Sequence, residues 1–197
     1  MFDEDTGDLL EYRHLIGNLK YREIWSKLYG NELGWLAQDM PGWVKGTNPL
    51  YFIDKEDLPT VQCWDIMYGY IVVSYWPEKQ DPNRVRLTVG GDRVNYPGDC
   101  GTPTTNMLTV KLLLNSAIST PGGKFMTIDI KDFYLNTPMP RYEYMRLKLE
   151  DLPEDFIEEY NLQDKVTKDG YVYVKIRKGM YRLPQAGILA QELLEKD

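Results

Sequence analysis

The chain has 197 residues, of which 43% are hydrophobic, so it is long and apolar enough to form one compact domain with its own core. Its 23 basic and 30 acidic residues give a net charge of −7, which argues against a stand-alone nucleic-acid-binding protein. No apolar run approaches the ~20 residues of a membrane span, and the acidic N-terminus has no signal-peptide pattern. Two cysteines and one histidine argue against a disulfide framework, a zinc cluster and a Ser-His-Asp hydrolase, and favour an intracellular setting.

The charge is unevenly distributed along the chain. Residues 77–148 hold 7 acidic and 10 basic residues, whereas residues 149–170 hold 8 acidic and 2 basic ones. Ordinary scatter of surface charges would explain this pattern as well as a basic binding surface would. Charge alone therefore leaves the question of an anionic partner open.

The first half of the chain predicts a short helix and then a β-hairpin. Residues 21–30 favour a helix that ends at Gly30, and the tryptophans nearby are expected to pack as anchors on a larger body. These are Trp25, Trp35 and Trp43. From residue 66 the alternation predicts a strand, a polar loop over 77–83 and a return strand over 84–89. In that return strand Val85, Leu87 and Val89 would face inward, and Arg84, Arg86 and Thr88 outward.

The second half alternates helices and strands, which predicts an α+β fold with an antiparallel sheet and packed helices. Thr102 fits an N-cap, with Pro103 at the first position of a helix so apolar that it should be buried on most sides. Further predicted strands cover residues 124–130, 143–149 and 171–176, and the last of these follows a type I′ turn at Asp169-Gly170. Further predicted helices begin after Pro153 and at Gln185.

Asp129 is the first candidate for chemistry, because it ends an otherwise apolar predicted strand on the face opposite the core residues. Such a carboxylate can hold a hard divalent cation at a cleft, although a strand-end aspartate in a turn is also very common. Asp132 and Tyr134 follow it in the predicted turn, where backbone amides can face a triphosphate. Lys79 and Arg86 on the hairpin are candidates for phosphate contacts, and Gln185 begins a helix.

These segments together resemble the reverse transcriptase of copia-type LTR retrotransposons. Residues 125–136 (FMTIDIKDFYLN) resemble the first catalytic motif of reverse transcriptases. Residues 178–187 (KGMYRLPQAG) resemble the family's Leu-Pro-Gln motif, and residues 75–87 resemble the fingers hairpin that grips the incoming triphosphate. The resemblance covers residues 60–197, with a weaker lead-in at residues 32–49, and three motifs in order are more specific than any one alone.

The resemblance implies a role for each matching residue. Asp129 would be the first metal-binding and catalytic carboxylate, for Mg²⁺, and Tyr134 would be the sugar gate. Asp132 and Phe133 would offer backbone amides to the triphosphate, and Gln185 would line the pocket for nucleotide and template. The phosphate-binding residues would be Lys79 and Arg86, with Arg84 in place of Arg86 if the register differs by two. A solvated strand face is the alternative reading of the two arginines.

The resemblance also implies an organisation and a location. Residues 1–59 would be a lead-in of the polyprotein, and residues 60–197 would form the fingers and part of the palm of a right-hand polymerase. The family's paired Asp-Asp motif would follow residue 197, so the chain is expected to be a truncated piece of a Pol polyprotein. Its partners would be primer-template, dNTP and the rest of that polyprotein, in the cytoplasm or in a virus-like particle, with no membrane contact.

Two features leave the function open. Without the Asp-Asp pair the metal clamp is incomplete, and Arg182 stands where the family usually has a glycine, so a positive φ there would be strained. One alternative is a catalytically inactive remnant that at most binds nucleic acid or a protein partner. Another is an unrelated acidic interaction module.

Overall fold

A computed structural model describes residues 10–102 and 105–196 of the chain. They form an α+β fold with seven helices and one five-stranded sheet. The helices are α1 (Tyr12–Gly17), α2 (Arg22–Leu36), α3 (Met107–Ser119), α4 (Phe133–Asn136), α5 (Glu154–Glu159), α6 (Leu162–Lys165) and α7 (Ala186–Lys196). The strands are β1 (Leu50–Ile53), β2 (Met67–Tyr75), β3 (Asn83–Val89), β4 (Pro138–Lys148) and β5 (Tyr171–Lys178).

The sheet has the order β1-β5-β4-β2-β3, so β1 and β3 are its edges. All pairs are antiparallel except β2 with β4, which pair in parallel over only two positions. The expected antiparallel sheet is therefore present apart from this one short parallel contact. The parallel contact is short because β4 pairs with β5 along most of its length and meets β2 only at the first two residues of β2.

One hydrophobic core joins the helices to the sheet. Its largest fully buried side chains include Trp25, Tyr29 and Leu33 on α2, Met145 on β4, and Phe156 on α5. Residues before position 60 therefore share their core with residues after it. Burial of each of these large side chains contributes about 1.5–3 kcal/mol.

Helix α2 is longer than the sequence predicts, because Gly30 does not end it. A Cβ on Gly30 would lie 3.6 Å from the Trp43 ring, and one on Gly34 would lie 2.6 Å from Cγ of Met40. Both glycines are buried within the helix and let the neighbouring chain approach closely. Trp25 is the buried anchor expected, Trp35 is half-buried against the core, and Trp43 is 46% exposed.

The β2–β3 hairpin is confirmed, with Val72 opposite Arg86 and Ser74 opposite Arg84. Val85, Leu87 and Val89 are buried and both arginines are exposed, as the alternation predicts. Thr88 differs from the prediction because it is buried, and its hydroxyl donates to the Tyr70 carbonyl at 3.3 Å.

Helix α3 is the largest departure from expectation. Its N-cap is Asn106, whose side chain accepts from the Leu108 amide at 2.8 Å, rather than Thr102, which lies against Gly187 of α7. Pro103 is outside the described residues. No residue of α3 is buried, although its sequence predicts burial on most sides. Its exposed apolar side chains are Met107, Leu108, Leu112, Leu113, Leu114 and Ile118.

The predicted strand over residues 124–130 is also not formed. These residues are exposed, and they take part in no strand pairing of the described chain. The alternation identifies which side chains share a face, but a strand also needs a partner, and β4 already has β2 and β5 as neighbours.

The remaining elements follow the sequence closely. The acidic helix begins after Pro153, the strand after Gly170 is β5, and the last helix begins one residue after Gln185. The turn before β5 is not type I′, because only Gly170 of the pair Asp169-Gly170 has a positive φ. Among the described residues, no helix is long and apolar enough to cross a membrane.

Candidate functional site

The hairpin presents Arg84 and Arg86 on the exposed face of β3, because the alternate residues of this strand are buried in the core. Lys79 lies in the loop between β2 and β3, where its amide donates to the Trp76 carbonyl at 3.0 Å. Its Nζ atom lies 5.1 Å from the centre of the Trp76 ring, which holds the ammonium group at the hairpin tip.

Glu32 of α2 contacts the strand that carries these arginines. Its Oε1 atom accepts a hydrogen bond from the Leu87 amide at 3.1 Å. Burial raises the pKa of Glu32 from 4.5 to about 7, against the hydrogen bond from Leu87 and the favourable charges of Arg86 and Arg84. No sequence motif identifies Glu32, although its spacing of seven from Trp25 puts it on the buried face of the helix.

The segment before α7 completes the group of charges around the hairpin. The Tyr181 ring lies 5.4 Å from the Arg86 guanidinium, and the Tyr181 carbonyl accepts from the Val89 amide at 3.2 Å. Burial raises the pKa of Tyr181; the Glu32 and Asp132 carboxylates add to the rise, while Arg86 and Arg84 oppose it. Four separate parts of the chain therefore contribute to this region: α2, β3, the turn before α4 and the segment before α7. We call Glu32, Arg84, Arg86, Asp132 and Tyr181 the hairpin cluster.

Arg182, next to this cluster, has a φ of 68°. The sequence predicts strain at this position if φ is positive, and the structure has the positive φ. A non-glycine residue in the left-handed region costs about 1 kcal/mol, so this backbone conformation is held by its surroundings. One such contact is made by the Arg182 carbonyl, which packs against Gly91.

Asp132, Phe133 and Tyr134 lie at the start of α4. Asp132 is half-buried with a φ of 55°, and its carbonyl accepts from the Asn136 amide at 3.0 Å. Tyr134 is 42% exposed, and its ring centre is 5.8 Å from that of Phe133. A sugar-gating role requires an accessible ring, and the Tyr134 ring is accessible.

Asp129 is an exposed carboxylate in the irregular segment before α4. In the parts of the chain that the structure covers, no group of three or more His, Cys, Asp or Glu side chains could hold a metal ion. Asp129 therefore offers one carboxylate. Mg²⁺ is commonly held by one or two carboxylates together with substrate phosphates, so Asp129 would supply one protein ligand of such a site.

Gln185 lies inside the protein rather than on a surface. It is fully buried, and its Nε2 atom donates to Oε1 of Glu143 at 3.0 Å. Burial raises the pKa of Glu143, while Arg141, whose Nε atom is 3.6 Å away, lowers it. Arg141 also pairs with Asp65 at 2.7 Å. Contact between Gln185 and a nucleotide stays a prediction, and it would require this buried pair to separate.

Comparison with known proteins adds no further constraint. No protein-family model, curated protein or solved structure matches the chain.

Proposed function

We propose that the chain is a fingers-and-palm part of an RNA-directed DNA polymerase of the copia type, and that the hairpin cluster binds the triphosphate of a dNTP. The observation that carries this proposal is the proximity of the three motif segments. The β2–β3 hairpin, the start of α4 and the segment before α7 are far apart in sequence, yet the Arg86 guanidinium lies 5.4 Å from the Tyr181 ring, and Gly179 packs against the Tyr134 carbonyl. A right-hand polymerase fold and a polyprotein origin belong to this proposal.

The chemistry of the cluster suits a phosphate ligand. A guanidinium group binds phosphate through two parallel hydrogen bonds, and the exposed Arg84 and Arg86 leave their donors open to solvent. Asp129 would hold a Mg²⁺ ion that arrives with the triphosphate and neutralises charge at the α-phosphate. The chain's own residues would bind the phosphates and orient the sugar against Tyr134.

Binding of dATP with Mg²⁺ to the 197-residue chain tests this proposal. We expect Arg86→Ala to weaken binding about tenfold, because one charge-assisted hydrogen bond contributes about 1.5–3 kcal/mol. The matched control is Arg177→Ala, since Arg177 is also exposed on a strand and stacks 4.7 Å from the Tyr51 ring. Equal losses in the two variants, or no loss in either, would contradict the proposal.

Catalysis gives an independent test. We expect no dNTP incorporation by the 197-residue chain on a primer-template, and incorporation once a downstream Asp-Asp segment of the family is appended. Incorporation by the chain alone would refute the expectation that catalysis requires the Asp-Asp pair. Failure of the extended chain, with folding verified by circular dichroism, would count against the polymerase assignment.

A second candidate is a remnant that binds nucleic acid without catalysis. The buried position of Gln185 favours it, because this side chain would contact a nucleotide only if its hydrogen bond with Glu143 were broken. Primer-template binding that falls steeply with salt, without any dNTP binding, would support this candidate. Absence of both activities would favour an acidic protein-interaction module.

A further inference from the structure

Strands β2 and β4 separate soon after they meet, and a cavity opens between them. They pair only at Met67 with Met145 and at Tyr68 with Arg146. Beyond this point β2 pairs with β3 alone, and the start of α1 together with Tyr29 of α2 lines the space between β2 and β4. The cavity has a volume of about 680 Å³, within the roughly 300–1,000 Å³ of small-molecule sites. It lies along the edge of β2 away from β3, and neither Arg84 nor Arg86 lines it.

The walls of this cavity are rich in aromatic rings around Arg146. Five tyrosines contribute to the lining: Tyr12, Tyr29, Tyr68, Tyr70 and Tyr171. The Arg146 guanidinium lies 4.5 Å from the Tyr68 ring centre and 4.6 Å from that of Tyr171, so it is held between two rings. Its Nη2 atom donates to the Tyr68 hydroxyl at 2.5 Å. A planar cation fixed in this way is preorganised for a carboxylate or phosphate.

Two donors at this cavity have no acceptor within the described residues. The Nε atom of Arg146 and the hydroxyl of Tyr29 are both buried and unpaired. Burial raises the pKa of Tyr29 well above its ordinary value, so its hydroxyl keeps its proton and remains a donor. Buried donors without acceptors are rare in folded proteins, and a bound water or ion is one explanation for them.

Of the cations that line the cavity, Arg146 is the one available to an anion, because the other two are already paired. Arg13 pairs with Asp151 at 3.1 Å, and Lys148 pairs with Glu150 at 3.0 Å. Glu11 also lines the cavity and is the N-cap residue of α1, where its backbone amide donates to Nδ1 of His14 at 3.1 Å. Arg146 forms no ion pair among the described residues.

We propose that this cavity binds a planar aromatic molecule that carries one anionic group, with the ring against the tyrosines and the anion at Arg146. A nucleoside monophosphate has the size and the chemistry that this arrangement accepts. Its base would stack on the Tyr70 ring, which is exposed, and its phosphate would accept from the guanidinium and from the Tyr29 hydroxyl. This site is separate from the hairpin cluster and does not depend on the proposed polymerase function.

Calorimetry with AMP, and with adenosine as the uncharged control, tests the anion requirement. We expect the 197-residue chain to bind AMP at least tenfold more tightly than adenosine. Arg146→Gln should lower AMP affinity at least tenfold, and Arg146→Lys should restore part of that loss. Arg177→Gln is the control for loss of a stacked arginine and should leave AMP affinity unchanged. Equal affinity for AMP and adenosine, or no AMP binding at millimolar concentration, would overturn the proposal.

Tyr29→Phe separates a ligand-binding role from a structural one. Because the hydroxyl has no partner, its removal should leave the thermal midpoint equal or higher, while AMP affinity falls several-fold. A lower midpoint with unchanged affinity would show that the hydroxyl is structural and would overturn its role in the site. Arg86→Ala identifies the location: unchanged AMP affinity supports the cavity, whereas loss of AMP binding would assign it to the hairpin cluster.

Discussion

Replacement of Glu32 by Gln should make the stability of the protein less dependent on pH. Glu32 is half-buried on α2, accepts from the Leu87 amide at 3.1 Å and lies within the electrostatic range of Arg84 and Arg86. Glutamine has the same shape and keeps an oxygen for the Leu87 amide, but it carries no charge at any pH. The variant therefore isolates the cost of ionising this carboxyl group inside the protein.

The magnitude follows from the pKa of Glu32, which is 4.5 in the unfolded chain and about 7 in the folded protein. That difference corresponds to about 3 kcal/mol as an upper value, since a tenfold change in proton affinity corresponds to about 1.4 kcal/mol. Because the folded pKa is raised, the contribution to stability is fully present below pH 4.5 and is lost as pH rises through 7. We expect Glu32→Gln to match the wild type near pH 4.5 and to exceed its stability by up to about 3 kcal/mol at pH 8.

Urea unfolding followed by tryptophan fluorescence at pH 4.5, 6, 7 and 8 measures this difference. Glu23→Gln is the matched control, because Glu23 lies on the same helix and is exposed, and this variant should not become more stable than the wild type as the pH rises. A constant difference between Glu32→Gln and the wild type across this range would refute the reasoning. So would a difference that shrinks as the pH rises.

Two further substitutions test local features of the fold. Arg182→Gly should raise the free energy of unfolding by about 1 kcal/mol, measured by urea unfolding, because glycine adopts a φ of 68° without strain; an unchanged or lower value would show that the arginine side chain compensates for the strain. Gln185→Leu should lower the free energy of unfolding by about 2 kcal/mol, because it removes the amide donor from the fully buried Glu143. The control is Gln163→Leu at an exposed position, and equal effects of the two leucine variants would contradict the role of the buried pair.

The hairpin and strand β5 were predictable because their signals are local. In β3 each second residue is apolar, so Val85 and Leu87 enter the core and Arg86 is left outside. Gly170 has the positive φ expected of a turn glycine, and β5 begins directly after it. Such patterns fix the direction of a side chain without any knowledge of the rest of the fold.

Helix α3 and residues 124–130 were not predictable, because apolar composition does not say which surface will cover a segment. Leu112 and Ile118 have the character of core residues, yet both are exposed. Phe125 and Met126 are exposed in the same way. Burial of such residues depends on contacts between distant segments, and neither periodicity nor propensity contains that information.

The candidate site likewise contains residues that the sequence identifies and residues that it does not. The sequence identifies Arg84 and Arg86 as exposed cations from alternation alone. Glu32 and Glu143 were missed, because a charged residue at a core position is recognised only when its partners are known. Gln185 was expected at a pocket from its motif, and its contact with Glu143 depends on how α7 packs against β4.

The hairpin cluster is built by the same contacts that protect the edge of the sheet. Because β3 is an edge strand, the amides of Leu87 and Val89 point away from β2 and need acceptors elsewhere. Glu32 supplies one acceptor and the Tyr181 carbonyl supplies the other. Those two bonds bring a carboxylate and an aromatic ring to either side of Arg86. A change that frees either amide should therefore both expose the edge to pairing with another chain and alter the surroundings of this arginine.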